Sequence, residues 1–421
     1  MTMADRDGLI WLDGAMVPWR EAKVHVLTHT LHYSMGVFEG IRAYETARGP
    51  AIFRLAEHIG RLFRSARILG IPMPYDHATL TEVCRQVVRD NDLKSAYIRP
   101  LVFYGAEGMG LRADNLKAHA MVAAWYWGPY LGAAGQEGGI RIQTSSYTRH
   151  HVNITMCKAK ANGNYMNSML ALQEALRCGY DEALMLDPEG YVCEGSGENI
   201  FLVRGGVLYT PDLTSALEGI TRDSIITLCA EIGVPVKEKR ITRDEVYIAD
   251  ECFFTGTAAE VTPIREVDGR VIGDGGPGPI TQRLKSLYFD QVHGQGVGHA
   301  AVLASHPEPT PGNPGHAVGC EARRRRRVDA RRRRGGRAWR GRRRSCVMLC
   351  LPVGLGVARG GQRQDNDERD RSDSGVGHGF VSYIARSGDV ATGNAPMLPD
   401  QRVTARGTGR PQNSAIYFHA R

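Results

Sequence analysis

Two lysines, Lys158 and Lys160, sit in the run Met156-Cys157-Lys158-Ala159-Lys160-Ala161-Asn162-Gly163-Asn164-Tyr165. Small neighbours let a flat molecule approach the backbone closely. Desolvating a lysine favours its neutral amine, a nucleophile toward aldehydes. Taken alone, the run fits two surface charges near a helix start equally well, because lysine is ordinarily solvated. Three further places carry chemistry. Gly219-Ile220-Thr221 opens a helix, where free backbone N–H groups and the helix dipole favour a phosphate, although the same pattern serves plain capping. Thr257, after Gly256, offers a hydroxyl and an N–H in a tight turn. Glu194, in Glu194-Gly195-Ser196-Gly197-Glu198-Asn199, follows an alternating strand and could hold a proton on a ring nitrogen. One ligand with an aldehyde, a phosphate and a basic ring nitrogen would use all four.

The elements that must position these groups can be read from periodicity. Residues 8–19 read as two short strands around Asp13-Gly14. A brief helical turn follows at 30–37, then an alternating strand at 37–44 interrupted by Gly40, which suggests a bulge or a ligand against the backbone. Leu55, Ile59, Leu62, Phe63, Ala66 and Leu69 define a helical face over 55–69. Arg61, Arg64 and Arg67 lie on that helix, where arginine is ordinarily exposed. A second helix is expected at 77–92 and strands at 96–104 and 118–127. The loop between those strands, Gly105 to Leu111, lacks the Gly-Lys-Ser/Thr of a phosphate-binding P-loop.

Residues 128–139 are glycine-rich and make the best domain boundary. Beyond them we expect strands at 140–145, 182–186, 191–194, 199–204, 207–209, 235–239 and 251–255. Helices are expected at 165–177, 220–232 and 278–290. Strands and helices alternate without βαβ regularity, which favours α+β over a doubly wound sheet.

Composition bounds the function. The formal charge of +8 is misleading, because residues 296–421 hold 23 arginines, no lysine and ten acids, a net of +13, leaving residues 1–295 at −5. The nine cysteines are scattered with no CxxC pair, against a disulfide framework or structural zinc and for a reducing compartment. The first residues carry Asp5 and Asp7 and no apolar signal-like region, and no apolar stretch reaches membrane-spanning length. A cytoplasmic protein with no metal site is the expectation.

Together and in order, several elements resemble the fold-type IV pyridoxal-phosphate enzymes, above all the branched-chain amino acid aminotransferases. They are Phe38-Glu39-Gly40-Ile41-Arg42, Tyr97-Ile98-Arg99-Pro100, Gly108-Met109-Gly110, Ala159 to Tyr165, Glu194 to Asn199, Gly219-Ile220-Thr221-Arg222 and Gly256-Thr257-Ala258-Ala259-Glu260. The likeness runs from about residue 8 to 292. It implies a two-domain α+β fold like that of D-amino acid aminotransferase. A smaller N-terminal domain would span 1–127 and a larger, β-rich cofactor domain 140–295, joined by 128–139.

The resemblance also implies roles. Lys160, rather than Lys158, would bind pyridoxal 5'-phosphate covalently and serve as base and acid. In an extended chain Lys158 would point to the same face. Tyr165 would bond the ring's phenolic oxygen and Glu194 the ring nitrogen. Arg61, Gly219, Ile220, Thr221 and Thr257 would hold the phosphate. Tyr33, Phe38, Trp127, Tyr130 and Tyr165 would line an aromatic substrate pocket in which Gly40 leaves room. Tyr97, Arg99, Thr257 and Ala258 would meet carboxylates, Tyr97 and Arg99 from one sheet face. Met109 would come from the neighbouring subunit of a dimer, the unit of a homodimer or hexamer. The implied substrates are L-leucine, L-isoleucine and L-valine with 2-oxoglutarate and glutamate.

Two alternatives stay within the fold, a D-amino acid aminotransferase and an aminodeoxychorismate lyase. The Tyr97-Ile98-Arg99 and Gly108-Met109-Gly110 elements argue against both. A third reading uses the arginine runs Arg323–Arg327 and Arg331–Arg334 as a nucleic-acid-binding arm. Only Trp339 among the aromatics of 296–421 is interleaved with those runs, which gives base stacking little support. The composition of 296–421 is that of a disordered segment or of GC-rich DNA translated in a shifted frame.

Overall fold

An Asp-Gly hairpin starts the chain. β1 (Leu9–Leu12) and β2 (Ala15–Pro18) pair antiparallel, and Asp13 and Gly14 between them adopt φ of 46° and 97°, as a two-residue hairpin requires. α1 (His29–Tyr33), β3 (Gly36–Phe38), β4 (Ile41–Thr46) and β5 (Gly49–Phe53) follow. α2 (Leu55–Leu69) lays Leu55, Ile59, Leu62 and Ala66 into the core at the spacing of one helical face, and ends at Gly70 with φ 68°. α3 (His77–Arg89) starts where the Asp76 carboxylate accepts the Thr79 N–H at 2.7 Å. β6 (Ala96–Tyr104) and β7 (Ala118–Trp125) pair from Tyr97↔Trp125 to Tyr104↔Ala118. These strands form one sheet in the order β5-β4-β6-β7-β1-β2, with β3 also on β6. α2 and α3 share its core.

The second sheet follows α4 (Ala133–Gly138). Its elements are β8 (Ile140–Thr144), α5 (Asn164–Arg177), β9 (Glu182–Leu186), β10 (Val192–Gly195), β11 (Asn199–Arg204), β12 (Val207–Thr210), α6 (Ile220–Ile232), β13 (Val236–Glu238), α7 (Arg243–Tyr247), β14 (Glu251–Gly256), β15 (Glu260–Val267), β16 (Arg270–Val271) and α8 (Pro279–Val292). The order is β10-β9-β8-β15-β14-β11-β12-β13, with β16 on β15. Three contacts are parallel, β8 with β9, β8 with β15 and β12 with β13, in an otherwise antiparallel sheet. This mixture is α+β, as expected. β17 (Leu303–Ser305) adds to the β5 edge of the first sheet.

The computed structural model describes residues 2–112, 114–128, 130–295 and 303–305. The contacts divide the chain into Met1–Gly319 and Cys320–Arg421, and every described residue lies in the first unit. The expectations for 296–421 fall outside the described residues except at β17. Among the described residues, no helix is long and apolar enough to cross a membrane.

Several elements differ from the periodicity reading, which names neither β5 nor β16 and runs the turn of α1 on to residue 37. α4 lies in the stretch read as a loop, because Gly135 and Gly138 mask it. α7 is one short turn set by a capping box between Thr242 and Glu245. β15 is central in its sheet although Pro263 removes a ladder donor. β7 ends at Trp125 rather than Trp127.

Candidate active site

Residues Met156 to Ala159 form a turn, not an extended strand. Met156 has φ 60° and its carbonyl accepts the Ala159 N–H at 3.0 Å. The two lysines therefore diverge, contrary to the extended-chain expectation. Lys158 Nζ donates to the carbonyls of Leu213 and, at 3.2 Å, Ala216. Lys160 Nζ donates to Tyr165 Oη at 2.5 Å. The backbone fixes Lys160 from both sides. Its N–H donates to Ser65 Oγ on α2 at 2.9 Å, and its carbonyl accepts the Phe38 N–H at 3.1 Å. Ala159 and Ala161 are buried, so their small size serves packing of this segment rather than approach of a ligand.

Lys160 opens into a cavity of about 270 Å³. Phe38, Gly40, Arg61, Tyr97, Arg99, Trp127, Tyr130, Tyr165, Glu194, Gly219, Ile220, Thr221, Thr257 and Ala258 line it too. Of the residues expected at the site, only Tyr33 and Met109 are not among its walls. Both are exposed, with Tyr33 packed on His29 at 4.5 Å between ring centroids. Tyr33, expected in the aromatic pocket, does not line the cavity of its own chain.

One end of the cavity is built for an anion. α6 starts at Gly219 without a side-chain cap, leaving the N–H groups of its first turn uncapped. A side chain at Gly219 would collide with Asn199 Oδ1, so only glycine fits. Arg61 is buried beside it. Its Nη1 donates to the Glu218 carbonyl at 2.8 Å, and its Nε and Nη2 donate to Glu39 at 2.7 and 2.9 Å. His58 Nδ1 bonds the same carboxylate at 2.8 Å. Burial opposes charge on Glu39, but the Arg61 guanidinium and then His58 hold its carboxyl well below the usual carboxylate range. Glu39 and His58 had no assigned role in the sequence. The i, i+3 spacing of His58 and Arg61 was the available signal.

Glu194 places a carboxylate in the cavity wall. Glu194 Oε1 is ion-paired with Arg149 Nε at 2.7 Å. Glu194 Oε2 accepts the Leu217 N–H at 3.2 Å and Asn199 Nδ2 at 3.4 Å. Burial lowers the Arg149 pKa, and Glu194 more than offsets this, leaving it raised. Arg149 lies in irregular chain and carried no periodic signal. Glu198 also lines the cavity. Burial, with Glu182 adding to it, keeps the Glu198 carboxyl well above the usual range, and burial lifts Glu182 to about 7.

The third region is aromatic and cationic. Phe38 and Tyr165 lie 4.9 Å apart, Tyr97 and Trp127 4.6 Å, and Trp127 and Tyr130 5.5 Å. Arg99 Cζ sits 4.7 Å above the Phe38 ring, and Arg99 Nη2 donates to Tyr97 Oη at 3.3 Å. Arg99 Nε is buried with no hydrogen-bond partner among the described residues. A carboxylate would satisfy it. Any side chain at Gly40 would strike the Tyr97 hydroxyl.

The Lys160 amine, the start of α6 with Arg61, the Glu194 carboxylate and the Arg99 guanidinium surround one space. The residues present fit a phosphorylated pyridine aldehyde.

The family described as amino-transferase class IV matches residues 36–267, and the chain belongs to that family. It is 64% identical to the branched-chain-amino-acid aminotransferase of Pseudomonas aeruginosa over 300 residues, 71% of this chain and 98% of that protein. The solved Escherichia coli branched-chain amino acid aminotransferase is similar at TM-score 0.70 and 47% identity, covering 71% of this chain and 99% of that one. The Thermobaculum terrenum branched-chain amino acid aminotransferase, solved in its PLP form, is similar at TM-score 0.66 and 35% identity, covering 70% and 97%. The family expected from the motifs is the one recovered.

Proposed function

We propose that this chain transfers the amino group of L-leucine, L-isoleucine or L-valine to 2-oxoglutarate, with pyridoxal 5'-phosphate held at Lys160. The observation that carries this reading is the meeting of Lys160, Tyr165, Glu194 and the start of α6 around one cavity. When bound, the cofactor supplies a conjugated ring that takes up the electron pair left as the substrate Cα–H bond breaks. Glu194, ion-paired with Arg149, would hold a proton on the ring nitrogen. Arg61 and the N–H groups of Ile220 and Thr221 grip the phosphate. Lys160 Nζ takes the Cα proton of the amino donor and later returns a proton to the acceptor's Cα. Tyr165 holds that amine in line. Arg99 takes the side-chain carboxylate of glutamate, and the Phe38, Trp127 and Tyr130 rings take aliphatic side chains.

We further read the enzyme as a homodimer or a hexamer built from dimers. Tyr33 and Met109 lie outside their own cavity and are exposed, as are the apolar side chains of Val24, Leu27 and Leu31. A second copy would cover that apolar surface and receive both residues at its own cavity mouth. The domain division at 128–139 and a cytoplasmic location belong to the same proposal. The test is a substrate panel on the purified yellow protein. L-leucine, L-isoleucine and L-valine should react with 2-oxoglutarate. Faster turnover of D-alanine or aminodeoxychorismate would favour the other activities of this fold.

A further inference from the structure

Tyr33 and the loop carrying Met109 are joined by one buried imidazole, that of His29. His29 is 2% exposed. Its N–H donates to the Gly105 carbonyl at 2.8 Å, at the root of the loop. Its ring lies 4.5 Å from the Tyr33 ring on α1. Its Nε2 bonds the Gly110 carbonyl at 2.7 Å, next to the loop tip. A carbonyl only accepts, so Nε2 carries a proton. Nδ1 is buried with no hydrogen-bond partner among the described residues. The other side of the loop is tied separately, where the Lys117 N–H donates to Glu107 Oε2 at 3.2 Å and His119 Nε2 bonds Glu107 Oε1 at 3.0 Å. Gly110, at φ 96°, takes a backbone form open to glycine, so the tip has few restraints of its own.

We propose that His29 is a specificity-positioning residue that locks Tyr33 and the Gly108-Met109-Gly110 tip into one unit, presented to the cavity of a second copy. This rests on the reading that both residues serve a neighbouring chain. With the Nε2 bond in place, the tip and the tyrosine share one frame. Without it, Met109 swings about the glycines on either side and the far wall of the neighbour's aliphatic pocket loosens. The effect falls on substrate binding, because His29 touches neither Lys160 nor the anion cup.

The test uses full-length holoenzyme carrying His29→Leu, His29→Gln or Met109→Ala, with steady-state kinetics on L-leucine. Losing one buried hydrogen bond predicts a leucine KM raised about tenfold in His29→Leu, with kcat within about twofold. The cofactor spectrum should be unchanged. Glutamine can place its amide nitrogen near the Nε2 position, so His29→Gln should recover most of the loss. Mixing His29→Leu chains with an excess of Lys160→Ala chains puts each surviving active cavity opposite an intact His29. Leucine KM should then return toward wild type. A KM that stays high in the mixture shows that His29 acts within its own chain and overturns the proposal. An unchanged KM in His29→Leu, with Met109→Ala raising it, overturns the role of His29 alone. No effect from Met109→Ala removes the shared-pocket reading and the proposal with it.

Discussion

Arg42 lies on β4 of the first sheet and Thr257 in the turn between β14 and β15 of the second, and the Arg42 Nε–H donates to the Thr257 carbonyl at 2.9 Å. The same guanidinium bonds the carbonyls of Ala258 at 3.0 Å, Trp127 at 3.0 Å and Gly128 at 3.2 Å. It therefore fixes two loops that border the cavity. In a trans peptide the C=O and the following N–H point opposite ways. Turning the Thr257 carbonyl toward Arg42 turns the Ala258 N–H away from it, and Ala258 lines the cavity.

Arg42→Lys should therefore raise KM for both the amino donor and the oxo-acid acceptor. A lysine offers three donors from one point and cannot span four carbonyls on two loops. We expect a rise of about tenfold for each substrate, the scale of one or two lost hydrogen bonds, with cofactor content unchanged. Steady-state kinetics with both substrates varied will check it.

Arg149→Met should strip the counter-charge from Glu194. Removing one partner of a buried ion pair costs about 3–5 kcal/mol. We expect a lower Tm and faster loss of cofactor on dialysis, measured by differential scanning fluorimetry and by absorbance of the retained cofactor. Arg149→Lys should lose less of both.

What was legible in the sequence follows from physical range. α2 was read at its full span because apolar spacing and Gly70 are local signals. Arg61, Tyr165 and Glu194 were named because their motifs stand in a recognisable order, and the structure brings them to one cavity. Arg42, Arg149 and Glu39 were not assigned, because each acts on groups distant in sequence. Arg42 bonds carbonyls, which every residue has. The divergence of Lys158 from Lys160 depends on a positive φ at Met156, a methionine, where sequence predicts none. The position of Tyr33 depends on His29, whose buried contacts no periodicity reveals.

Glu182 gives a pH signature of its own. Its carboxyl is raised from 4.5 to about 7 by burial. A raised folded-state pKa means that the folded protein holds a proton the unfolded chain has released. The associated stability is complete below about 4.5 and is lost as pH rises through about 7. Glu182→Gln removes this titration without adding charge. Tm measured from pH 5 to 8 should fall more steeply in the wild type than in Glu182→Gln. Parallel curves would contradict this assignment.

In the proposed enzyme Lys160 holds the cofactor while Lys158 braces the segment at Leu213 and Ala216. The direct measurement is borohydride reduction of the yellow holoenzyme, followed by peptide mass spectrometry with fragmentation between the two lysines. The phosphopyridoxyl mass is expected on Lys160, with Lys158 unmodified. The added mass on Lys158, or on neither lysine, would contradict it.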